Sequence, residues 1–323
     1  MIVMPGGQGA NTSYNKPDIS QTNPTDAESA VTITDAERII KAAYHGERRV
    51  ARFEDLSANL FSTQYLITLD NRTRLLLRLA PPSDVRVLQH ERDVLAGDFE
   101  ILELIRQNAP EVPVPEVVMY SKDGNGALLD VPFLLTTYIP GVPLDIVRQD
   151  LPDEVLAMVD YNLGQHARRV SRIHNSHFGP AGAGGNGKII PYEVLRWHVG
   201  RLAYALDDVK VPQLVCYDLC DRQRVMVDER TGKLNGLTDF EKAVWGDPLM
   251  ETSFRDPSLA FLNGYGGDPL GAQGTRPRVL LYTLYYYLRA VVEVYYHGLN
   301  HELECKARKG LVRSLKSISD YHE

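Results

Sequence analysis

Two aspartates, Asp218 and Asp239, lie where a turn could hold a carboxylate for chemistry. Asp218 belongs to the segment LVCYDLCDRQRVMVD, in which a short apolar run predicts a strand that ends in a tight turn. Asp239 follows a second apolar run, LNGL, at the end of a predicted hairpin. A carboxylate held in a turn can orient or deprotonate a hydroxyl, and carboxylate oxygens are ligands that Mg²⁺ prefers.

The first part of the chain predicts a small sheet with one long helix. A capping box over Thr34-Asp35-Ala36-Glu37 predicts where a first helix begins. The runs STQYLITL and TRLLLRLAP predict a β-hairpin that turns at Asp70-Asn71-Arg72. A helix is expected over residues 87–107, and PFLLTTYI predicts a buried strand.

The second part predicts mostly helices, with the Asp218 loop and its hairpin between them. The predicted helices are DEVLAMVDYNLGQHARRVSRIHN, LRWHVGRLAYALDD, PRVLLYTLYYYLRAVVEVYYHGLN and ELECKARKGLVRSLKSI. Residues 263–277, rich in Gly and Pro, predict a loop. We therefore expect an α+β protein with a disordered tail over 1–30, an N-lobe over 31–138 and a C-lobe over 139–323.

Composition excludes several classes of protein. The formal net charge of −7 argues against a general nucleic-acid binder, which usually carries a basic patch. No apolar run approaches the roughly 18 residues of a membrane span. The three cysteines do not suggest a disulfide framework. These features predict a cytoplasmic protein that contacts neither nucleic acid nor membrane, and they leave its oligomeric state open.

The motifs taken together resemble one family. LVCYDLCDRQRVMVDERTGKLNGLTDFEKAVWGDPLMETSF is similar to the catalytic segment of the aminoglycoside phosphotransferase and choline kinase-like family, within the protein-kinase-like superfamily. FLLTTYIPGVPL is similar to the family's hinge between lobes, and the resemblance covers about residues 35–310. It implies a bilobal protein-kinase-like fold, with a small antiparallel β lobe that binds nucleotide and a larger helical lobe that binds the acceptor.

The resemblance also implies an activity and its cofactors. It predicts an ATP-dependent O-phosphotransferase that moves the γ-phosphate to a hydroxyl of an antibiotic-like compound, an amino sugar or another metabolite, with ATP and Mg²⁺ as cofactors. Asp218 takes the position of the catalytic carboxylate that holds the acceptor hydroxyl. Asp239 takes the position of the main metal ligand, and Glu241 could support it through water.

Other positions would hold the nucleotide. Arg78 replaces the family's strand Lys and would meet the α- and β-phosphates. Its expected partner on the next helix is Asp98, with Glu91 and Glu100 as alternatives. The loop residues Ser57 and Asn59 would offer backbone N–H groups to phosphate oxygens, and the hinge residues Thr137 and Ile139 would bind the base; these complete the predicted nucleotide-binding set.

The Asp218 loop departs from the family pattern at two further positions. Cys216 replaces the usual His, and Gln223 replaces the Asn that serves as second metal ligand. One extra residue also precedes the strand VMVD, so that Asp221 or Gln223 is the candidate second Mg²⁺ ligand. These departures motivate an alternative, a degenerate pseudokinase-like protein that binds nucleotide or a partner without efficient transfer. A protein side chain as acceptor is less favoured, because no activation loop of kinase length follows TDF.

Two further sets of side chains are expected to have structural rather than chemical roles. Asp247 and Glu251 follow the second aspartate and are expected to be solvated or to cap turns. The tyrosines of the third predicted helix are expected to pack between helices, with their hydroxyls at the rim.

Overall fold

The computed structural model describes residues 31–56, 63–81, 94–123, 128–175, 179–180, 193–240, 242–297 and 301–321. Ser57, Asn59, Glu91, Glu241 and the tail over 1–30 therefore lie outside the described residues. The strands are β1 (Val50–Asp55), β2 (Gln64–Leu69), β3 (Arg74–Leu79), β4 (Val117–Ser121), β5 (Phe133–Thr137), β6 (Val142–Pro143), β7 (Gly179–Pro180), β8 (Gln213–Cys216), β9 (Val225–Val227), β10 (Leu234–Leu237) and β11 (Ala243–Gly246). The helices are α1 (Ile33–Ala43), α2 (Val94–Asn108), α3 (Leu144–Val147), α4 (Asp153–Val170), α5 (Glu193–Leu202), α6 (Leu259–Tyr265), α7 (Thr275–His297) and α8 (His301–Ser319).

An antiparallel sheet forms the first part of the fold, with strand order β1-β2-β3-β5-β4. The β2–β3 hairpin is confirmed: Leu66 faces Leu76, and the turn is closed by the Thr73 N–H, which donates to Asn71 Oδ1 at 3.0 Å. Alternate residues of both strands are buried, as a sheet with one covered face requires. Arg78 lies in β3, and Thr137 is the last residue of the neighbouring strand β5.

Helix α2 covers one face of this sheet and packs against β4 and β5. Leu102 and Ile105 are buried on its inner side, and the Phe99 ring stacks on Tyr120 with centroids 4.8 Å apart. The same hydrophobic core continues to Leu214 of β8. The sheet and the Asp218 segment therefore share one core, which fixes their relative position.

Short strands frame the Asp218 segment. β9 pairs with β10 and with β6 just after the hinge, while β11 pairs with β8 and with β7. The predicted β9–β10 hairpin is thus confirmed. Strand β11 was not expected, because the run AVWG is too short to show a period of its own.

The helical part depends on glycines where α4 crosses α6. A Cβ on Gly164 would lie 2.0 Å from the Phe261 carbonyl oxygen, and one on Gly264 would lie 1.8 Å from the Tyr161 carbonyl oxygen. Only glycine allows the two backbones to approach this closely. Helix α7 packs on α8 through a second apolar cluster that includes Leu281, Leu284 and Ile318.

Several local predictions were wrong. The helix expected over residues 153–175 ends at Val170, and the last part of the helix expected over residues 195–208, Ala203–Asp208, is a 3₁₀ helix. Helix α1 already begins at Ile33, so Thr34 lies inside its first turn and is not its cap. The loop expected over 263–277 is shorter at both ends, because α6 continues to Tyr265 and ends at Gly266 with a positive φ of 99°, and α7 already begins at Thr275. The boundary between lobes at 138 and 139 stays a prediction, since residues 33–323 form one compact unit. Among the described helices, none is long and apolar enough to cross a membrane.

Candidate active site

Asp218 lies in a double turn between β8 and β9. The Leu219 N–H donates to the Cys216 carbonyl at 2.7 Å, and the Asp221 N–H donates to the Asp218 carbonyl at 3.0 Å. Buried residues of β8 anchor the start of this turn in the core. The Asp218 side chain is almost fully buried, and its Oδ1 has no hydrogen-bond partner among the described residues. A buried carboxylate oxygen of this kind is available to accept a hydrogen bond from a bound molecule.

Asp239 is positioned by the end of β10. Its backbone has a positive φ of 66°, a left-handed conformation that aspartate tolerates better than most side chains with a Cβ. The preceding residue fixes it to the Asp218 segment, because the Thr238 N–H and hydroxyl both donate to the Arg224 carbonyl, at 3.0 and 3.2 Å. The two aspartates predicted from sequence are therefore held on the same framework.

One arginine connects both aspartates. Arg224 Nη2 lies 3.0 Å from Asp239 Oδ2 and 3.8 Å from Asp218 Oδ2. Arg224 Nη1 also donates to the Asp239 carbonyl oxygen at 3.2 Å. The sequence analysis missed this residue, although the signal was present: the extra residue in the loop places Arg224 directly before β9.

Two further cations lie close to Asp218. Lys242 Nζ and Arg289 Nη2 are each 3.9 Å from Asp218 Oδ2. Both also contact Glu293 on α7, at 3.7 Å from Lys242 and 3.1 Å from Arg289. Sequence reasoning missed these three residues. Lys242 lies inside the quoted segment but has no role in the pattern, whereas Arg289 and Glu293 come from α7, which is far from the loop along the chain.

Arg78 of β3 and Asp98 of α2 form the ion pair that was expected. Glu100, the alternative partner, is exposed on α2. Asp98 is buried, and burial raises the pKa of its carboxyl; Arg78 opposes this effect, and the Asp239 charge adds to it. The Arg78–Asp98 pair therefore lies close enough to Asp239 to feel its charge.

Glu251 accepts hydrogen bonds from the backbone of the Asp218 loop and of the turn that follows Glu251. Its Oε2 accepts the Leu219 N–H at 3.3 Å, and its Oε1 accepts the Ser253 N–H at 3.4 Å. Burial, and then the charge of Asp218, raises the pKa of Glu251 to about 8. The capping role expected for Glu251 and Asp247 is confirmed: Asp247 Oδ1 accepts the Leu249 N–H at 3.1 Å.

Cys216 and the tyrosines serve the packing of the loop. Cys216 is buried opposite Ala243, and burial raises the pKa of its thiol, so that the thiol is neutral. The Tyr217 ring packs against Tyr285 and Tyr286 of α7, with centroids 6.0 and 6.5 Å apart. The expected packing role of the α7 tyrosines is thereby confirmed for these two.

The remaining predicted residues lie at the edges of the site. Gln223 is exposed, and its backbone N–H donates to Asp221 Oδ1 at 3.0 Å. The Thr137 N–H donates to the Glu116 carbonyl at 2.9 Å. Ile139, two residues after β5, lies against Gly236 of β10. Their predicted roles as metal ligand and hinge contacts stay predictions.

The model of the APH family, described as the phosphotransferase enzyme family, matches residues 53–253. This range runs from β1 to the turn that follows Glu251, and it includes both aspartates and the Arg78–Asp98 pair. The chain belongs to this family.

Solved structures of phosphotransferases share the fold. A complex of APH(2'')-IIa with streptomycin and ATP is 13% identical, with a TM-score of 0.55, and covers 91% of this chain and 100% of its own. ADP-bound aminoglycoside phosphotransferase APH(2'')-Ib is 13% identical, with a TM-score of 0.53 and coverage of 89% and 100%. Macrolide 2'-phosphotransferase MphH from Brachybacterium faecium is 17% identical, with a TM-score of 0.53 and coverage of 90% and 99%. No protein of curated function matches. These likenesses confirm the bilobal protein-kinase-like fold.

As arranged here, the family's metal position does not fit a magnesium ion. Mg²⁺ requires a near-octahedral shell of oxygens at about 2.1 Å. Asp239 Oδ2 instead faces the Arg224 guanidinium, and the Gln223 side chain is exposed. Among the described residues, no group of three or more His, Cys, Asp or Glu side chains converges to hold a metal.

Proposed function

We propose that this protein transfers the γ-phosphate of ATP to a hydroxyl group of a small molecule. The observation that carries the proposal is the convergence of Asp218 and Asp239 within a matched family segment, with the Arg78–Asp98 pair close enough to Asp239 to feel its charge. Phosphoryl transfer needs little covalent chemistry from the protein, and consists mainly of positioning and of neutralising charge. These residues offer groups for both tasks.

Asp218 would hold and deprotonate the acceptor. Its buried Oδ1, without a partner among the described residues, would accept a hydrogen bond from the acceptor hydroxyl. As the new O–P bond forms, the hydroxyl proton passes to Asp218, the bond from the γ-phosphorus to its bridging oxygen breaks, and ADP leaves. Lys242 and Arg289 lie close enough to Asp218 to balance the negative charge of the transferring group.

Arg78 would hold the phosphates of the nucleotide. The buried Asp98 fixes the direction of the Arg78 guanidinium, a planar cation whose geometry suits phosphate oxygens. The hinge residues Thr137 and Ile139 would meet the base with backbone groups. ATP as the donor is supported by the relatives, since one was solved with ATP and another with ADP. The proposal includes no step through Mg²⁺, because the arrangement of Arg224 does not fit that ion.

The acceptor class is an antibiotic-like compound, an amino sugar or another metabolite that carries a hydroxyl. Streptomycin and macrolides appear in the names of the structural relatives, so they head the panel of acceptors to be assayed. A polypeptide acceptor is disfavoured, because only residues 240–247 separate Asp239 from the next helical turn, Pro248–Met250.

The test is the Asp218→Asn variant, compared with wild type and with Asp70→Asn, which changes an exposed turn aspartate in the same way. Phosphorylated product and ADP would be followed over the acceptor panel, and ATP binding would be measured by calorimetry. We expect Asp218→Asn to lower turnover by about 10²–10⁴-fold and to retain ATP binding, while Asp70→Asn behaves as wild type. Turnover that is unchanged in Asp218→Asn would contradict the role of Asp218.

A second candidate function is nucleotide binding without transfer. It is favoured by Arg224, which contacts both carboxylates that transfer would use. The same assays separate the two functions: the second predicts that wild type binds ATP, forms no phosphorylated product with any acceptor, and hydrolyses ATP no faster than Asp218→Asn.

A further inference from the structure

Arg224 lies between the two carboxylates at the position where a phosphotransferase would be expected to place a hard cation. We propose that its guanidinium replaces a divalent metal between Asp218 and Asp239, so that the chain binds ATP without Mg²⁺. The inference rests on the proposed function for its choice of nucleotide. The Arg224 guanidinium belongs to the chain itself, so its replacement of a divalent metal can also be tested in protein without nucleotide.

The contacts of Arg224 are those of a bridging ion. Its Nη2 lies 3.0 Å from Asp239 Oδ2 and 3.8 Å from Asp218 Oδ2, so one positive group joins both acids. Its Nη1 adds a hydrogen bond to the Asp239 carbonyl at 3.2 Å. A guanidinium keeps its charge at every working pH and has five N–H donors. It can therefore hold the two aspartates together with a permanent positive charge.

A divalent ion and this guanidinium compete for the same oxygen. A Mg²⁺ on Asp239 Oδ2 would sit about 2.1 Å from that atom, and hence within roughly 5 Å of Arg224 Nη2. Two cations at that distance repel each other. Arg224 is held in place by its contacts with both Asp218 and Asp239. The residue that should complete the metal shell, Gln223, is exposed. The site thus favours the arginine over the metal.

Neighbouring side chains add to the positive charge. Lys242 and Arg289 each lie 3.9 Å from Asp218 Oδ2, and together with Arg224 they surround that carboxylate oxygen with three cations. Glu293 balances part of this charge through its contacts with Lys242 and Arg289. A polyphosphate that enters the site meets fixed cations, which serve in place of the charge that a metal would bring.

The first measurement is the dissociation constant of ATP for the full chain, by calorimetry, with Mg²⁺ and with a chelator. We expect the two wild-type values to agree within about threefold. The Arg224→Asn variant places a metal-binding amide before β9, and it should bind ATP at least about tenfold more tightly with Mg²⁺ than with chelator. Arg222→Asn is the matched control, since Arg222 is exposed in the same turn, and it should behave as wild type.

The second measurement is the thermal midpoint of unfolding without nucleotide. Mg²⁺ should leave the midpoint of wild type and of Arg222→Asn unchanged, and should raise that of Arg224→Asn by on the order of 2 °C. Arg224→Lys, which keeps a positive charge, should not respond to Mg²⁺. It provides a folded comparison should Arg224→Asn prove unstable.

The outcomes separate the two proposals. If Mg²⁺ tightens ATP binding by wild type about tenfold or more, the inference is overturned whatever the variants do. If wild type binds no ATP in either buffer, the proposed function fails, and the nucleotide-free midpoints decide the inference alone. Stabilisation by Mg²⁺ in Arg224→Asn but not in wild type then supports it. If Mg²⁺ stabilises wild type, or stabilises neither wild type nor Arg224→Asn, the inference is refuted.

Discussion

Replacing Arg78 with Met should make the stability of the protein strongly dependent on pH. Arg78 is the counter-ion of Asp98, whose side chain is 1% exposed and whose Oδ1 has no hydrogen-bond partner among the described residues. Without Arg78 the ionised Asp98 would be buried with an uncompensated charge. Met keeps the apolar bulk of the side chain, so the change isolates the charge.

The magnitude follows from the burial of the pair. Breaking a buried ion pair by removing one partner costs about 3–5 kcal/mol of unfolding free energy. Asp98 can reduce this cost by taking up a proton, because burial already raises its pKa and the opposing effect of Arg78 would be lost. A carboxyl with a raised pKa in the folded state contributes stability at low pH, and this is lost as pH rises through the folded pKa. The loss is about 1.4 kcal/mol per pH unit.

Urea unfolding at pH 5 and pH 8 would test the expectation. Arg78→Met should cost about 3–5 kcal/mol at pH 8 and clearly less at pH 5, and Arg78→Met/Asp98→Leu should recover most of the loss. The control is Arg52→Met: Arg52 pairs with Glu54 at 2.9 Å, but its side chain is 70% exposed, and the change should cost less than about 1 kcal/mol. A cost for Arg78→Met no larger than that of the control, or equal at both pH values, would refute the reasoning.

Three other expectations follow from the structure. Gly264→Ala would place a Cβ 1.8 Å from the Tyr161 carbonyl oxygen where α4 crosses α6, and should cost at least about 3 kcal/mol of unfolding free energy in urea. Gly97→Ala in α2, where nothing lies within 4 Å, should instead stabilise by about 0.5–1 kcal/mol; equal effects of the two changes would contradict the proposed close crossing. Glu251 has a folded pKa of about 8, above that of the unfolded chain, so wild type should lose stability as pH rises from 6 to 9. Glu251→Gln should remove this part of the slope, and thermal midpoints that fall in parallel in both proteins would count against it.

The amino-acid sequence predicted those strands and helices in which apolar residues recur at a regular spacing. The β2–β3 hairpin could be predicted because its apolar residues alternate and its turn contains Asp70 and Asn71. The Arg78–Asp98 pair could be predicted because a family pattern links β3 to α2, and the structure contains it. The β11 strand and the start of α6 could not, because short elements are determined by their neighbours rather than by their own periodicity.

The cations of the site could not be predicted from spacing. Arg224 has a long side chain, and its direction depends on how the turn after Asp218 is folded. Arg289 and Glu293 come from α7, which is joined to the loop only by tertiary packing. Sequence motifs identify carboxylates in turns. They do not show which way the long side chains of Arg224 and Lys242 point within the same segment, nor that Arg289 reaches Asp218 from another element.

The exposure of Gln223 and the position of Arg224 between the aspartates have a common structural cause. The segment between Asp218 and β9 consists of successive turns, in which the Asp221 N–H donates to the Asp218 carbonyl and the Arg224 N–H donates to the Asp221 carbonyl at 2.8 Å. Within these turns Gln223 is exposed while Arg224 reaches both aspartates. The exposed amide and the bridging guanidinium are therefore two consequences of the same fold of the loop. For this reason a single substitution at Arg224, rather than repair of Gln223, should restore a response to metal.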